Sequence, residues 1–511
     1  MNIRFSGSRS GTAPLTWGQR AIWDAIRKTA PDDHYFNFGR VLEVPRRARP
    51  LTVARAAEVL GALVERHESL RTRLGPGPRP GTETGPETGP EPEPSQVLAA
   101  GGSIPITISD GDPELLLRRL AETAFDYTGE WPLRVGLVVA GDPAEHAREN
   151  PATTAETPQE HSTGDGTTAE TPQGHDTGDG TTAETSRERG AEDGTGGEGP
   201  RGTVTHIVLV FCHLAADGLG AEVAITDLRL LLLRGTVPGP PPPSPLDLAR
   251  WQRSEPGLRV ARIAAEHWET EYRRIPPTMF DRREAVPESP PVWRAQLVSR
   301  ALDLAVQRIA AVHGTSTSTV LLAASCLLVG DVTGHDVCAM LPIVGNRFRE
   351  DAAHTVTTLS QEGLFVLDLR HGGFTEVLRA AKSAALRAYR SAYHDPGDRD
   401  RLVERVSRER GTRIHPYCCF NDMRFVDRVD ASHDEATVRR AMGSTTLTWP
   451  LSQDQLNCRF CLHVTGEPGG LGVSLTADTH YMSRAAMERY LRDLESLLVD
   501  AAFREILEPV G

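Results

Sequence analysis

The stretch that decides the fold of this chain is Cys212-His213-Leu214-Ala215-Ala216-Asp217-Gly218. The residues before it, 207–211, form a short, β-branched and continuously apolar run, which predicts a buried strand. The residues after it, 219–234, have the length and the apolar recurrence of a helix. His213 is therefore predicted at a strand end, and the Asp-Gly pair at a strand-to-helix turn, where glycine permits a tight backbone. Such a turn is a suitable place for a catalytic base.

Four further segments carry recognisable motifs, and they occur in order along the chain. They are residues 14–23, 66–74, 125–126 with 132–135, and 341–347. Together with the H-x-x-x-D-G pattern, these segments resemble the condensation domains of nonribosomal peptide synthetases. The pattern is also similar to that of chloramphenicol acetyltransferase and of other acyltransferases that use coenzyme A or a carrier protein. The resemblance extends from about residue 15 to about residue 499, outside two inserts.

The length of 511 residues fits two domains of about 200 residues each plus low-complexity material. Alternating strand and helix patterns predict an α/β chain in two similar halves. The resemblance implies two chloramphenicol-acetyltransferase-like lobes that form a V-shaped pseudo-dimer, with the active site in the tunnel between them. We predict the N-terminal lobe at residues 1–290 and the C-terminal lobe at residues 291–511.

Two inserts interrupt the first half. Residues 75–94 are almost all Gly, Pro, Glu and Thr, and residues 142–202 repeat Thr-Thr-Ala-Glu-Thr from Thr153, Thr167 and Thr181. Neither segment buries enough apolar surface to offset the entropy of ordering. Because both fall between predicted strands, we predict two disordered hairpin tips.

Composition excludes several classes of function. The net charge of -13, without a basic stripe, argues against binding to nucleic acid. No signal peptide or membrane-spanning segment is evident, so we expect a cytoplasmic protein that does not bind membranes. The motifs of nucleotide-binding loops, zinc proteases, serine hydrolases and dinucleotide-binding folds are absent from the sequence.

Seven scattered cysteines, an odd number, indicate reduced thiols and not a disulfide framework. Cys458 and Cys461 have C-x-x-C spacing, but they fall in a predicted strand, where period two sends the two thiols to opposite faces. No second pair completes a zinc site, so we predict no metal.

His213 is the candidate catalytic residue. A lone histidine at a strand end is often only a hydrogen-bonded core residue. The resemblance implies instead that it faces the tunnel, where an amine or a hydroxyl attacks an acyl thioester. An imidazole with a pKa near ~6.5 is partly neutral, so it can accept that proton or position the nucleophile and the oxyanion.

Cys212 occupies the position of the first histidine in the family's H-H-x-x-x-D-G motif. One interpretation makes it a nucleophile that forms an acyl-enzyme. Strand alternation opposes this, because neighbouring side chains point to opposite faces. We therefore predict that Cys212 packs in the protein interior.

Asp217, Gly218 and Arg347 are the predicted structural residues of the site. The resemblance implies a salt bridge between Asp217 and Arg347, and a bidentate arginine–carboxylate pair is a rigid fastener between lobes. The alternative is that Arg347 is a surface turn residue. Downstream, the family's asparagine is absent from residues 357–363, where Gln361 is either a polar substitute or part of a solvated loop.

These observations predict a free-standing acyltransferase of the condensation type, active in specialised metabolism. It would join an acyl or aminoacyl thioester, held by an acyl or peptidyl carrier protein acting in trans, to an amine or, less often, a hydroxyl. The acceptor would be a small-molecule amine or alcohol, or a second carrier-bound group. We expect no intrinsic cofactor, and a phosphopantetheine-linked or CoA-linked acyl donor as substrate. The alternatives are an acyl-CoA-dependent N- or O-acyltransferase and a non-catalytic protein that binds carrier proteins; residues that bind substrate are not identified.

Overall fold

The computed structural model describes residues 1–76, 93–140, 202–283, 286–370, 372–454 and 458–504. Both predicted inserts lie almost wholly outside these ranges, so their predicted disorder stays a prediction. The strands that flank each insert pair antiparallel with one another, β4 (Thr72–Gly75) with β5 (Ser95–Leu98) and β7 (Leu133–Ala140) with β8 (Thr203–Phe211). The prediction that each insert joins two strands of a hairpin is confirmed.

The first half contains a five-stranded sheet of order β1-β6-β7-β8-β3, in which only β6 and β7 run parallel. The remaining strands of this sheet are β1 (Asn2–Ser6), β3 (Phe38–Glu43) and β6 (Gly101–Ser109). A small antiparallel sheet of order β2-β5-β4 lies beside it, with β2 at Gly11–Pro14. β8 lies in the interior of the large sheet, which explains its continuous apolar run.

Six helices accompany these sheets in the described part of the chain. They are α1 (Trp17–Thr29), α2 (Val53–Arg66), α3 (Pro113–Ala121), α4 (Gly218–Arg234), α5 (Pro245–Gln252) and α6 (Glu255–Arg274). Helices α2 and α4 bury their apolar faces against one face of the sheet, where Leu60 and Leu228 join Leu209 in one core cluster. The helix predicted after the H-x-x-x-D-G motif is confirmed, and it begins at Gly218.

The second half contains an eight-stranded sheet of order β11-β10-β13-β15-β16-β9-β14, with β12 also paired to β10. Its strands are β9 (Val292–Ser299), β10 (Val337–Val344), β11 (Gln361–Glu362), β12 (Phe365–Asp368), β13 (Cys418–Asp422), β14 (Thr446–Gln453), β15 (Phe460–Glu467) and β16 (Gly470–Asp478). The parallel pairs β10-β13 and β13-β15 lie at its centre, and the other pairs are antiparallel.

The helices of the second half are α7 (Arg300–His313), α8 (Thr317–Thr333), α9 (Phe374–Ser391), α10 (Pro396–Glu409), α11 (Glu435–Ala441) and α12 (Arg484–Ala501). Helix α8 is apolar nearly all round and contributes Leu321, Leu322 and Cys326 to the core, as expected of a helix buried on several sides. The same core includes Trp268 and Tyr272 of α6. Helix α6 thus packs with the second half although it precedes residue 290, and the predicted lobe boundary there stays a prediction.

Candidate active site

His213 lies just beyond the end of β8, as the sequence predicts. The strand ends at Phe211, and the backbone turns at once, because the Ala215 amide donates to the Cys212 carbonyl at 2.9 Å. Phe38, on the neighbouring strand β3, stacks on Phe211 with ring centroids 5.7 Å apart. The His213 imidazole also packs against Phe38, with the two ring centroids 5.2 Å apart. Two aromatic rings of the first sheet therefore fix where the histidine ring lies.

The electrostatics of His213 favour a neutral ring. Nδ1 is buried and makes no hydrogen bond to another residue in the described ranges. Burial lowers the pKa of His213, although its own backbone carbonyl and the Asp217 carboxylate oppose the shift. His213 is half-buried, and of its two ring nitrogens only Nδ1 is a buried atom without a partner. Nε2 is therefore the nitrogen available to a substrate. A neutral imidazole with an unoccupied Nε2 can accept a proton.

Cys212 faces away from His213. Its side chain packs with Val210 and Leu214 in an apolar cluster, whereas Leu209 and Phe211 point into the main core of the first half. Burial raises the pKa of the Cys212 thiol to about 12, so it is a thiol and not a thiolate at neutral pH. The His213 ring packs on Phe38 instead, and both features of Cys212 support a packing role. The alternation of a strand does not apply to these two residues, because β8 ends at Phe211.

The opening motif, residues 14–23, braces the turn that carries His213. Gln19 and Thr16 form a reciprocal capping box at the start of α1, with the Thr16 amide donating to Gln19 Oε1 at 2.9 Å. The other end of the same amide group, Nε2, donates to the Leu214 carbonyl at 3.4 Å. The glutamine of this motif therefore links the first helix to the residue after His213.

The second motif, residues 66–74, braces the helix that follows the turn. Arg66 Nε donates to Asp227 of α4 at 2.9 Å, and His67 Nε2 lies 3.0 Å from the same carboxylate oxygen. Arg71 is almost fully buried and donates to the backbone carbonyl of Arg9 at 3.0 Å. These contacts explain the motif by packing and hydrogen bonding without any role in chemistry.

Asp217 and Arg347 form the predicted bridge. Arg347 donates through both terminal nitrogens, at 2.7 Å to Asp217 Oδ1 and at 2.9 Å to Oδ2. The bridge joins the start of α4 in the first half to the turn after β10 in the second half. The alternative, that Arg347 is a surface turn residue, is wrong, because its side chain is only 10% exposed and that of Asp217 only 1%.

Every lone pair of Asp217 is directed to a donor. Besides Arg347, the carboxylate accepts the Gly220 amide at 2.8 Å as the N-cap of α4, and the amides of Leu359 and Ser360 at 3.0 and 2.9 Å. Burial alone would raise the pKa of Asp217, but the guanidinium and these amides outweigh it, and the pKa lies below its usual value. Asp217 is therefore a fixed charge that fastens the two halves.

The loop that supplies these amides also touches the backbone of His213. The Thr358 hydroxyl donates to the His213 carbonyl. Any side chain at Gly18 of α1 would collide with the Thr358 carbonyl, so the glycine of the opening motif permits this close approach. The second half thus fixes the histidine through its main chain and leaves the ring free.

Gln361 lies on β11 and is buried, with Nε2 donating to the His394 carbonyl at 2.9 Å. The solvated-loop interpretation is wrong, because the segment is a strand that pairs with β10. Asn346 has φ 51° and donates through Nδ2 to the Leu359 carbonyl at 2.9 Å. Asn346 therefore anchors the loop that caps Asp217.

The two cysteines of the C-x-x-C pattern do not point to opposite faces. Cys458 precedes β15, so the alternation of a strand does not apply to it. The Cys458 thiol donates to the Tyr417 and Phe460 carbonyls at 3.2 and 2.9 Å. Cys419, on the adjacent strand β13, and Cys458 lie close enough to Cys461 to raise the pKa of the Cys461 thiol. No group of three or more His, Cys, Asp or Glu in the described residues is arranged to hold a metal ion.

Sequence reasoning missed the residues that surround His213. Phe36 and Phe38 contact its ring, and Tyr35 lies next to Phe36 and near Arg294 and Cys461 of the second half. The alternation of side chains along β9 could have indicated Arg294, because it places this residue on the face opposite the buried Ala295 and Leu297. No local pattern marks Tyr35, since it lies in a short 3-10 turn, Asp33–Phe36.

Among the described helices, none is by itself long and apolar enough to span a membrane. Helices α7 and α8 together meet the length and composition required, with a bend of 106° between them.

The structure is similar to solved condensation domains over nearly its whole length. The condensation domain of the monacolin K polyketide synthase has 15% identity and a TM-score of 0.63, with 97% of this chain and 98% of that chain covered. The condensation domain that mediates chain release from the enacyloxin polyketide synthase has 15% identity and a TM-score of 0.61, with 98% and 84% covered. SgcC5 of Streptomyces globisporus has 18% identity and a TM-score of 0.58, with 96% and 98% covered.

The predicted fold class is confirmed by these likenesses. The chain has the α/β fold of condensation domains, two chloramphenicol-acetyltransferase-like lobes. No protein-family model and no curated protein matches the sequence. The motifs and the fold, and not overall sequence similarity, therefore connect this chain to condensation domains.

Proposed function

We propose that this chain is an acyltransferase of the condensation type, in which His213 acts on the attacking amine or hydroxyl. The observation that carries the proposal is the contrast within one turn. The His213 ring makes no hydrogen bond to another described residue and burial lowers its pKa, which favours the neutral form, while Asp217 is fully engaged with the second half. The fold that this chain shares with condensation domains supports the same activity.

The reaction would proceed by direct attack on the thioester. As the acceptor nitrogen or oxygen bonds to the carbonyl carbon, its proton passes to His213 Nε2 or is held there by a hydrogen bond. The tetrahedral intermediate then collapses, the C–S bond breaks, and the departing thiolate takes up the proton. A free amine is already partly neutral, so positioning of the nucleophile contributes alongside proton transfer.

The Asp217–Arg347 bridge would act through geometry. It fixes the start of α4 and the loop at residues 357–360, and this loop holds the His213 backbone. Cys212 takes no part in chemistry, because its thiol is protonated and packs in the apolar cluster with Val210 and Leu214. We therefore propose direct transfer without an acyl-enzyme.

The donor is proposed to be a carrier-bound thioester supplied in trans, with the phosphopantetheine arm as part of the substrate. Both polyketide-synthase relatives are condensation domains of megasynthases, which supports a carrier-bound donor over free acyl-CoA. Localisation in the cytoplasm and a place in specialised metabolism follow from this partner.

The test is an activity screen with purified protein. One set of acyl groups is presented on a phosphopantetheinylated carrier protein, on coenzyme A and on N-acetylcysteamine, each with a panel of amines and alcohols. Product formation is followed by mass spectrometry for the wild type, for His213→Ala and for His206→Ala, a matched histidine variant on β8.

The proposal expects an amide or ester from the carrier-bound donor, with His213→Ala slow and His206→Ala at the wild-type rate. Preference for coenzyme A would favour the acyl-CoA alternative. Binding of the loaded carrier protein without product from any donor would favour the non-catalytic alternative and overturn the proposal.

A further inference from the structure

The second sheet presents a polar face opposite its core. Cys418, Phe420, Phe460 and Leu462 are buried against the helices, so the residues that alternate with them point the other way. The strand register aligns these residues in two rows across β13, β15, β16 and β9. The rows are Asn421, His463, Ser474 and Gln296, and Cys419, Cys461, Thr476 and Arg294.

One residue of the first half, Tyr35, lies close to this face. The Tyr35 phenol lies near the second row, close enough to Arg294 to exchange a hydrogen bond with it and close to Cys461 and Cys419. Tyr35 itself is 50% exposed, so a ligand can reach it. The Tyr35 ring lies 5.6 Å from Phe36, and the Phe36 ring lies 6.5 Å from His213. Two neighbouring aromatic rings, Tyr35 and Phe36, therefore connect the surroundings of Arg294 with the His213 ring.

Arg294 is a cation in this row without an anion beside it. Its Nε donates to Thr476 Oγ1 at 2.8 Å, and no carboxylate in the described ranges lies within ion-pair distance of it. The nearest titratable group of the other row, His463, is neutral at physiological pH, because burial and Arg294 lower its pKa to about 4. A partly buried charge without a counter-ion is unfavourable unless a partner arrives from outside the chain.

We propose that Arg294, together with the Tyr35 hydroxyl, binds a carboxylate carried by a substrate. The proposal rests on the proposed function and adds the chemical class of one substrate. A planar guanidinium matches the two oxygens of a carboxylate in a bidentate pair. The other side chains of the row are two thiols and a hydroxyl, which provide few donors for the additional oxygens of a phosphate.

The test measures binding and does not depend on turnover. Acetate, benzoate and N-acetylalanine are compared with acetamide, benzamide and N-acetylalaninamide by ligand-observed NMR titration of the full chain. A second pair, 4′-phosphopantetheine and pantetheine, tests whether a phosphate occupies the site. The variants are Arg294→Gln, Arg294→Lys and Arg484→Gln, a matched control whose arginine stacks on Trp293 on the opposite face of the sheet.

The proposal expects at least one carboxylate to bind the wild type about tenfold more tightly than its amide, a factor equivalent to about 1.4 kcal/mol. Arg294→Gln abolishes that preference, Arg294→Lys weakens it, and Arg484→Gln retains it, with unchanged melting temperatures. Equal binding of acids and amides, a preference that survives Arg294→Gln, or Arg294-dependent binding of 4′-phosphopantetheine alone would overturn it.

His213→Ala separates this proposal from the proposed function. The variant should keep the carboxylate preference, because His213 does not contact Arg294. A chain that binds carboxylates through Arg294 but forms no product refutes the proposed function and leaves the anion site standing. Product formation with no acid preference refutes the anion site alone.

Discussion

The two ends of the turn at residues 212–218 have opposite environments. At the helix end, Asp217 accepts hydrogen bonds from Arg347, Gly220, Leu359 and Ser360. At the strand end, the His213 ring makes no hydrogen bond to another residue in the described part of the chain. A carboxylate whose capacity is filled acts as a structural fastener, whereas an imidazole with a free nitrogen is available to a substrate. The difference separates stability from activity within seven residues.

The largest expected effect is on turnover, from a substitution at His213. His213→Ala should lower turnover by about ten- to ten-thousand-fold, the range of general acid–base catalysis, because the ring is the only group of the turn left for a substrate. Its melting temperature should stay close to that of the wild type, since the ring stabilises nothing through hydrogen bonds. Turnover is measured with the substrate pair found in the screen, and a wild-type rate for the variant would break the comparison.

The next largest effect is expected on the free energy of unfolding, from substitutions in the Asp217–Arg347 bridge. Asp217→Ala or Arg347→Ala leaves a buried charge without its partner, at a cost of about 3–5 kcal/mol of unfolding free energy. The double variant should lose less than the sum of the singles, because the two residues share one interaction. Denaturant unfolding of the wild type, the two single variants and the double variant measures this coupling. Strict additivity of the two losses would contradict a stabilising bridge between Asp217 and Arg347.

A third prediction compares His213 with His394, a histidine that is buried away from solvent and substrate. His394 is 2% exposed, and neither ring nitrogen makes a hydrogen bond of ordinary geometry in the described ranges, although the Ser391 and Ala392 backbone lies close to the ring. Burial, with the charge of Arg399, lowers the pKa of His394 to about 3. The unfolded chain, with a histidine pKa of about 6.5, binds the proton first, so stability falls as pH drops from about 6.5 toward about 3.

His394→Gln should therefore reduce the slope of stability against pH by up to about 1.4 kcal/mol per pH unit between pH 6 and pH 4. Unfolding free energies measured across this range, with His206→Gln as the control, check the change. An unaltered slope would show that His394 is protonated in the folded protein. Accessibility, and not the missing hydrogen bond alone, would still distinguish His213 from His394.

The smallest effect is expected at Cys212. Cys212→Ala removes one sulfur atom from a packed cluster and should cost about 1 kcal/mol of stability, the size of an ordinary core substitution. Turnover should stay near the wild-type rate, and intact-mass analysis with donor alone should find no acyl adduct. A transferable thioester on Cys212 would reverse its assignment.

Sequence patterns predicted the parts of the fold that depend on local periodicity. The strand before His213 and the helix after it were correct because apolar alternation and recurrence are local signals. Edge elements such as β1 and β2 and the polar helix α10 were not predicted, because packing with distant segments stabilises them more than their own patterns do.

The residues of the candidate site also fall into those that the sequence could predict and those that it could not. His213, Asp217 and Arg347 came from motifs, and the bridge between the last two is confirmed. Tyr35, Phe38 and Arg294 could not be assigned to the surroundings of His213, since their position depends on packing between segments far apart in the sequence. The catalytic role of His213 stays a prediction.

The central claim is that His213 holds a free Nε2 in a neutral ring at neutral pH. Nitrogen-15 NMR of histidine-labelled protein measures it directly, with the His213 signal assigned by its loss in His213→Gln. We predict a neutral ring at pH 7 with the proton on Nδ1, next to its own carbonyl, and an Nε2 shift typical of an unprotonated nitrogen. An imidazolium at pH 7, or a neutral ring protonated on Nε2, would contradict the account.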